Sequence, residues 1–205
     1  MRRWIIGGLA LAVGCAAALT LGAVQRFTKD EADRFQSKLE RIVLFGAAPR
    51  TARAGASGQT VQITDLELNS YFRYHAQDQI PTGIVEPEIN ALGDGRVGGR
   101  AIVDLDVVRK QKQRGWLDPL GYLTGRLPVT ATGTLVTRDG VGQFTLESAE
   151  VSGVTMPKAL LQELLSYYSR SPENPAGINM DDPFELPSRI REIRVGRAQA
   201  TIVQQ

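Results

Sequence analysis

Two carboxylates stand two positions apart in the run "RAIVDLDVVRK", at Asp104 and Asp106. On a strand, residues i and i+2 share a face, and paired carboxylates there could hold a cation or exchange a proton. Arg109 and Lys110 follow at once, so the composition reads as an ion-pair cluster on a solvated face opposite Val103 and Leu105. The single histidine, His75, falls on the apolar stripe of a predicted helix, with no nucleophile or second ligand near it in sequence. That context predicts a packed residue with one hydrogen bond. Asp181 and Asp182 sit in a proline-rich loop without the spacing of a calcium loop. The chain has no G-x-S-x-G, H-E-x-x-H or phosphate-binding P-loop pattern. Its one cysteine, Cys15, lies inside an apolar run, which excludes a disulfide or cysteine-based zinc site within one chain. No catalytic residue, metal site or cofactor is predicted, and the chain is expected not to be an enzyme. An enzyme of envelope lipids or glycans would have to depend on Asp104, Asp106 or His75.

Binding, rather than chemistry, is what the remaining residues describe. The 205 residues carry 24 Lys+Arg against 22 Asp+Glu. The first 24 hold two arginines and no acid, so the rest is balanced at 22 of each sign. Nucleic-acid binding needs a cationic surface, and none is written here.

Trp4–Val24, "WIIGGLALAVGCAAALTLGAV", is free of charge and follows Arg2 and Arg3. As a helix it would span roughly 30 Å, about one bilayer core. Three readings stay open: an uncleaved anchor, a lipoprotein signal acylated at Cys15, or a cleaved secretory signal. Each puts the remaining chain at a membrane or beyond it. The short basic tail before a signal-like run favours export of the body, to the periplasmic side of an inner membrane.

The elements after the anchor are marked by caps and by periodicity. Thr28-x-x-Glu31 opens a helix whose narrow stripe is Ala32, Phe35, Leu39 and Ile42. Gly46–Thr60 is small and polar and reads as a linker. Thr64-x-x-Glu67 opens a second helix with Leu68, Tyr71, Phe72 and His75 on one stripe. The period then changes to two. Val85, Pro87, Ile89 and Ala91 alternate against Glu86, Glu88 and Asn90; after "GDG" the run Val97, Ala101, Val103, Leu105, Val107 forms one face. A second hairpin follows around "RDGVG". The connection between the hairpins carries Trp116, Leu117, Leu120, Tyr122 and Leu123. Pro157 suits the first turn of a helix with a wide stripe of Leu160, Leu161, Leu164, Leu165 and Tyr168. A polar loop, Arg170–Pro187, leads to one closing strand, "IREIRVGRAQATIVQ". The fold class is α+β: amphipathic helices on the apolar face of an antiparallel sheet, preceded by a transmembrane helix. The division is 1–25, anchor or signal; 26–60, amphipathic helix and flexible linker; 61–205, the α+β domain.

The succession "ITDLELNSYF", long glycine-punctuated hairpins, "VSGVTMPKALLQELL" and "LPSRIREIRVGRAQATI" resembles the small anchored bacterial proteins of the TULIP-like (tubular lipid-binding, BPI-like) group, of the YpmS and LmeA kind. The resemblance covers roughly residues 61–203. It implies a curled antiparallel sheet wrapped around a helix, with lipid held between them in the cell envelope. The expected partner is therefore membrane lipid, its acyl chains lying along Leu68, Phe72, Trp116, Leu120, Leu160, Leu161, Leu164, Leu165 and Tyr168. The alternative is a tethered scaffold or assembly factor that binds an envelope protein through a sheet edge or the Arg170–Pro187 loop.

Overall fold

The computed structural model describes residues 26–49, 58–111, 124–170, 172 and 174–205. The expected anchor with Cys15, most of the linker, and Trp116, Leu117, Leu120, Tyr122 and Leu123 lie outside them. In chain order the elements are α1 (Lys29–Ala47), β1 (Gln59–Thr64), α2 (Asp65–Tyr74), a 3₁₀ turn (Gln77–Gln79), β2 (Ile84–Gly93), β3 (Arg96–Asp104), α3 (Leu105–Gln111), β4 (Arg126–Arg138), β5 (Val141–Val151), β6 (Val154–Thr155), α4 (Lys158–Ser169), β7 (Phe184–Glu185), β8 (Ile190–Val195) and β9 (Gln199–Gln204). No described helix is long and apolar enough to cross a membrane.

The α+β class with antiparallel sheets holds, but the strands divide between two sheets. One has three strands in the order β1-β9-β8; the other runs β2-β3-β4-β5-β6, with β7 paired to β5. Helix α1 packs on the small sheet, and α2 bridges β1 to the β2 edge of the large sheet. Thr28 caps α1 by accepting from the Glu31 N–H, and α1 buries Ala32, Phe35 and Ile42 while Leu39 stays at the surface. At α2 the capping box is complete, with Thr64 and Glu67 each accepting from the other's backbone N–H. Ile42 joins Val61, Ile190 and Ile202 in one core; Phe35, Tyr71 and Ala76 form a second, with the Phe35 and Tyr71 rings 4.8 Å apart. Burying each such side chain contributes about 1.5–3 kcal/mol.

In the large sheet, three two-residue turns set the hairpins: Asp94-Gly95, Asp139-Gly140 and Ser152-Gly153, all with positive φ at both positions. That is the type I′ geometry, whose twist matches the strands it joins. The turn ends of both long hairpins dock on β8. Gly95 donates to the Val195 carbonyl, Gly140 to that of Arg191, and Thr137 Oγ1 exchanges hydrogen bonds with the Ile193 backbone.

Four sequence expectations are corrected. The expected linker Gly46–Thr60 is shorter at both ends, since α1 runs to Ala47 and β1 starts at Gln59. The strand carrying Asp104 stops there, and Leu105 and Val107 lie in α3 instead. Asp104 accepts from the Val107 N–H at 3.1 Å, so its side chain starts a helical turn in place of another ladder bond. Val85 does not share a face with Ile89 and Ala91: Glu86 has a φ of 50° and the ladder slips between Val85 and Glu88. A bulge of this kind inverts the facing of every residue before it. The closing strand is two strands, β8 and β9, turned at Gly196–Ala198, where Ala198 has a φ of 58°.

Candidate functional site

The residues that could do chemistry are occupied structurally. Asp104 also pairs with Arg126 at 3.0 Å, and that bond, with help from the Val107 N–H, holds its carboxyl below the usual range. The partner is therefore Arg126, across the β3–β4 ladder, where the sequence pointed to the adjacent basic pair. Asp106 accepts from the Gly125 N–H. Asp181 pairs with Lys158, and Asp182 accepts from the Asn179 side chain. His75 caps the end of α2 with its Nε2 2.6 Å from an Asp33 oxygen, which ties α2 to α1.

The leucines of α4 have a different setting. Gln162, Ser166 and Ser169 share one polar face of α4, and the preceding-loop residues of β7 are fastened to it. Gln162 donates to the Ile178 carbonyl and accepts from the Met180 N–H, and Ser169 Oγ accepts from the Ile178 N–H. The neighbouring face carries Leu161, Leu164 and Leu165, all half-buried, while Leu160 is 39% exposed. None of them belongs to either buried core. The Tyr168 side chain is outside the described residues.

The large sheet shows the same condition. Its registers put Val97, Ala101 and Val103 of β3, Leu127, Val129, Ala131 and Leu135 of β4, and Phe144, Leu146 and Val151 of β5 on one face. All are half-buried, and of that face's apolar side chains only Ala149 is fully covered. The opposite face presents Arg96, Arg100, Thr130, Thr145 and Glu150 to solvent. On this ten-residue apolar face none of the ten side chains is fully buried, whereas a face closed by its helices normally buries its central ones.

Leu68 and Phe72 lie elsewhere. They flank the second core on α2, which packs on β2, whereas α4 leans on β5, three strands across the sheet. The buried side of α2 is mainly polar. Asn69, 3% exposed, donates to the Ile89 carbonyl at 2.7 Å and accepts from its N–H at 2.8 Å, so it completes the edge of β2 as a strand would. Asp65 accepts from the Ala91 N–H through both oxygens; burial pushes its carboxyl up, and the Ala91 bond only partly offsets this.

Between α2, the 3₁₀ turn and the β2–β3 hairpin lies a cleft of about 740 Å³. Phe72 lines it with Phe27, Ile80, Pro81, Ile84 and Val85 on the apolar side, and Arg73, Glu86, Glu88 and Arg100 on the polar side. A second cleft of about 510 Å³ adjoins it, sharing Phe27, Asn69, Arg73, Glu88 and Arg100 and adding Arg26. The Arg100 guanidinium grips Glu88 with two bonds, at 2.8 and 2.6 Å. Sequence reasoning missed this cleft except for Phe72. The only local signal was "RF" at 26–27, a cation and an aromatic directly after the apolar run.

No family model matches the chain, and no curated protein matches it. Among solved structures it is similar to a crystal structure of lipopolysaccharide binding protein, at 16% identity over 71% of this chain and a TM-score of 0.22. The chain spans 40% of that protein's length.

Proposed function

We propose that the chain is a membrane-anchored, extracytoplasmic, non-catalytic protein that binds the acyl chains of membrane lipid in an apolar groove between α4 and the large sheet. The observation that carries this reading is the pair of apolar surfaces, α4's leucine face and the sheet's ten-residue face, that both stay outside the two buried cores. Each methylene of a ligand taken from water into such a groove contributes about 0.8 kcal/mol. The strap from Ile178 to Asp181 supports the reading mechanically, because it holds α4 by its polar side and spends none of its leucines. The tether rests on the charge-free run Trp4–Val24. In this reading the chain is a relative of the small TULIP-like proteins of the YpmS and LmeA kind, serving lipid handling or transport in the envelope.

The test is native mass spectrometry, with lipid extraction, on the full chain released gently from a bacterial envelope. The expected result is a bound species of lipid mass that disappears in Leu161→Asp and Leu164→Asp variants. Those variants stay folded, since neither leucine is in a core. A clean unliganded mass on folded wild-type protein would make α4 an ordinary surface helix.

A further inference from the structure

Beyond the acyl groove, we infer that the two adjoining clefts between α2 and the β2–β3 hairpin form one phospholipid headgroup site facing the membrane that holds the chain's own anchor, with Arg26 of the second cleft and the shared Arg73 on the phosphate and Phe27, Phe72 and Ile84 of the first against the first acyl carbons. It shares with the proposed function only the tether, and lies at the opposite edge of the sheet from α4.

Charge is the first ground. The cleft's other ionic groups are committed: Glu88 to Arg100 through two bonds, and Asp65 to the Ala91 N–H. Glu86 adds to the attraction on Arg100, so it belongs to that same cluster on the hairpin side. Arg26 and Arg73 are exposed and have no ion-pair partner among the described residues. Two free guanidiniums beside an apolar wall match an anion carried on a hydrocarbon. Guanidinium binds phosphate oxygens in a forked, charge-assisted geometry that a bare hydrophobic ligand cannot use.

Position is the second ground. The chain enters the fold along α2 and is pinned there: the Tyr74 hydroxyl donates to the Phe27 carbonyl at 3.2 Å, and the Thr28 N–H donates to Ser70 Oγ at 3.3 Å. Phe27 is three residues from Val24, the last of the apolar run. Fully extended, three residues reach about 10 Å. A bilayer's headgroup layer extends roughly 5–8 Å beyond its hydrocarbon on each side. With Trp4–Val24 in the bilayer, Phe27 stays within about 10 Å of the hydrocarbon, so the cleft it lines is within reach of the headgroup layer. A soluble phosphate would meet the arginines but leave the aromatic wall unused.

The experiment uses the full chain in nanodiscs, with a photo-cross-linking residue introduced as Thr82→p-benzoylphenylalanine, an exposed position lining the cleft. The same residue at exposed Val154, at the far edge of the sheet, is the control. Phospholipid adducts are expected at position 82 and not at 154. Arg26→Glu with Arg73→Glu should lower them at least about tenfold, since one lost charge-assisted contact already accounts for that and the variant removes two. Discs of a neutral, phosphate-free glycolipid should give the same drop, and added inorganic phosphate should not compete. Equal adducts at 82 and 154, or yields indifferent to the double charge reversal, would overturn the site; competition by inorganic phosphate would make it a soluble-anion site instead. Leu161→Asp separates the two proposals: it should abolish the cargo bound at α4 and leave the adduct at 82 unchanged. A loss at 82 in that variant would merge the cleft with the groove and refute a separate site.

Discussion

At the scale of single residues, the buried polar groups decide most. Asn69 replaces a missing neighbour strand at Ile89, and Asn69→Ala leaves the half-buried Ile89 N–H and carbonyl unpaired. The expected cost is about 2–4 kcal/mol, read from the midpoint of denaturant unfolding. Glu67 is the second case. Burial pushes its carboxyl up, but the Lys38 bond and the hydrogen bonds of Thr64 together outweigh that and hold it below its ordinary value of 4.5. A depressed folded value means the group stabilises the fold above pH 4.5, and that contribution is lost as pH falls through the folded value. Lys38→Met should therefore lower stability at neutral pH and flatten the loss as pH falls below 4.5, measured by thermal unfolding from neutral to acid pH. Asp65 acts in the reverse sense, since its raised value costs stability once pH exceeds 3.8. The capping part of Glu67's role was readable beforehand, but its pairing with Lys38 and the role of Asn69 were not: both look like the solvent side of an amphipathic helix, and only the approach of β2 and α1 buries them.

At the scale of elements, local grammar was legible wherever one short stretch suffices. Both capping threonines, the "GDG" and "RDG" turns and, save for exposed Leu39, the stripe of α1 are realised as the residues imply. Gly140 sits at a φ of 84° in its turn, so Gly140→Ala should cost about 1–2 kcal/mol, measured as a shift in melting temperature without change of fold. Misreadings occurred where a side chain competes with the ladder or the phase slips. Asp104 ends β3 by capping α3, and the bulge at Glu86 inverts the start of β2. The closing "IREIRVGRAQATIVQ" did carry its own warning. Its alternation breaks between Val195 and Ala198, and the break is the turn that makes β8 and β9.

At the scale of the whole molecule, α1 is the piece that unites the rest. It supplies Ile42 to one core and Phe35 to the other, and Gln204 on β9, fully buried, donates to the Ile42 and Ser188 carbonyls. A chain beginning at Gly58 should lose both cores; near-ultraviolet circular dichroism should collapse while strand signal persists. Ile42→Ala alone should cost about 2–4 kcal/mol. By itself the sequence determined the α+β class, the long glycine-turned hairpins, the charge-free N-terminal run, the balanced body and the wide leucine stripe of α4, because propensity, capping and charge are properties of neighbours in the chain. The tertiary structure alone decided that the strands split into two sheets and that α2's buried side is polar. It also separated Phe72 from the α4 leucines by the breadth of a sheet and set Arg26, Phe27, Arg73 and Arg100 around two adjoining clefts. Those facts depend on contacts between residues tens of positions apart, such as Tyr74 with Phe27, which no local period encodes.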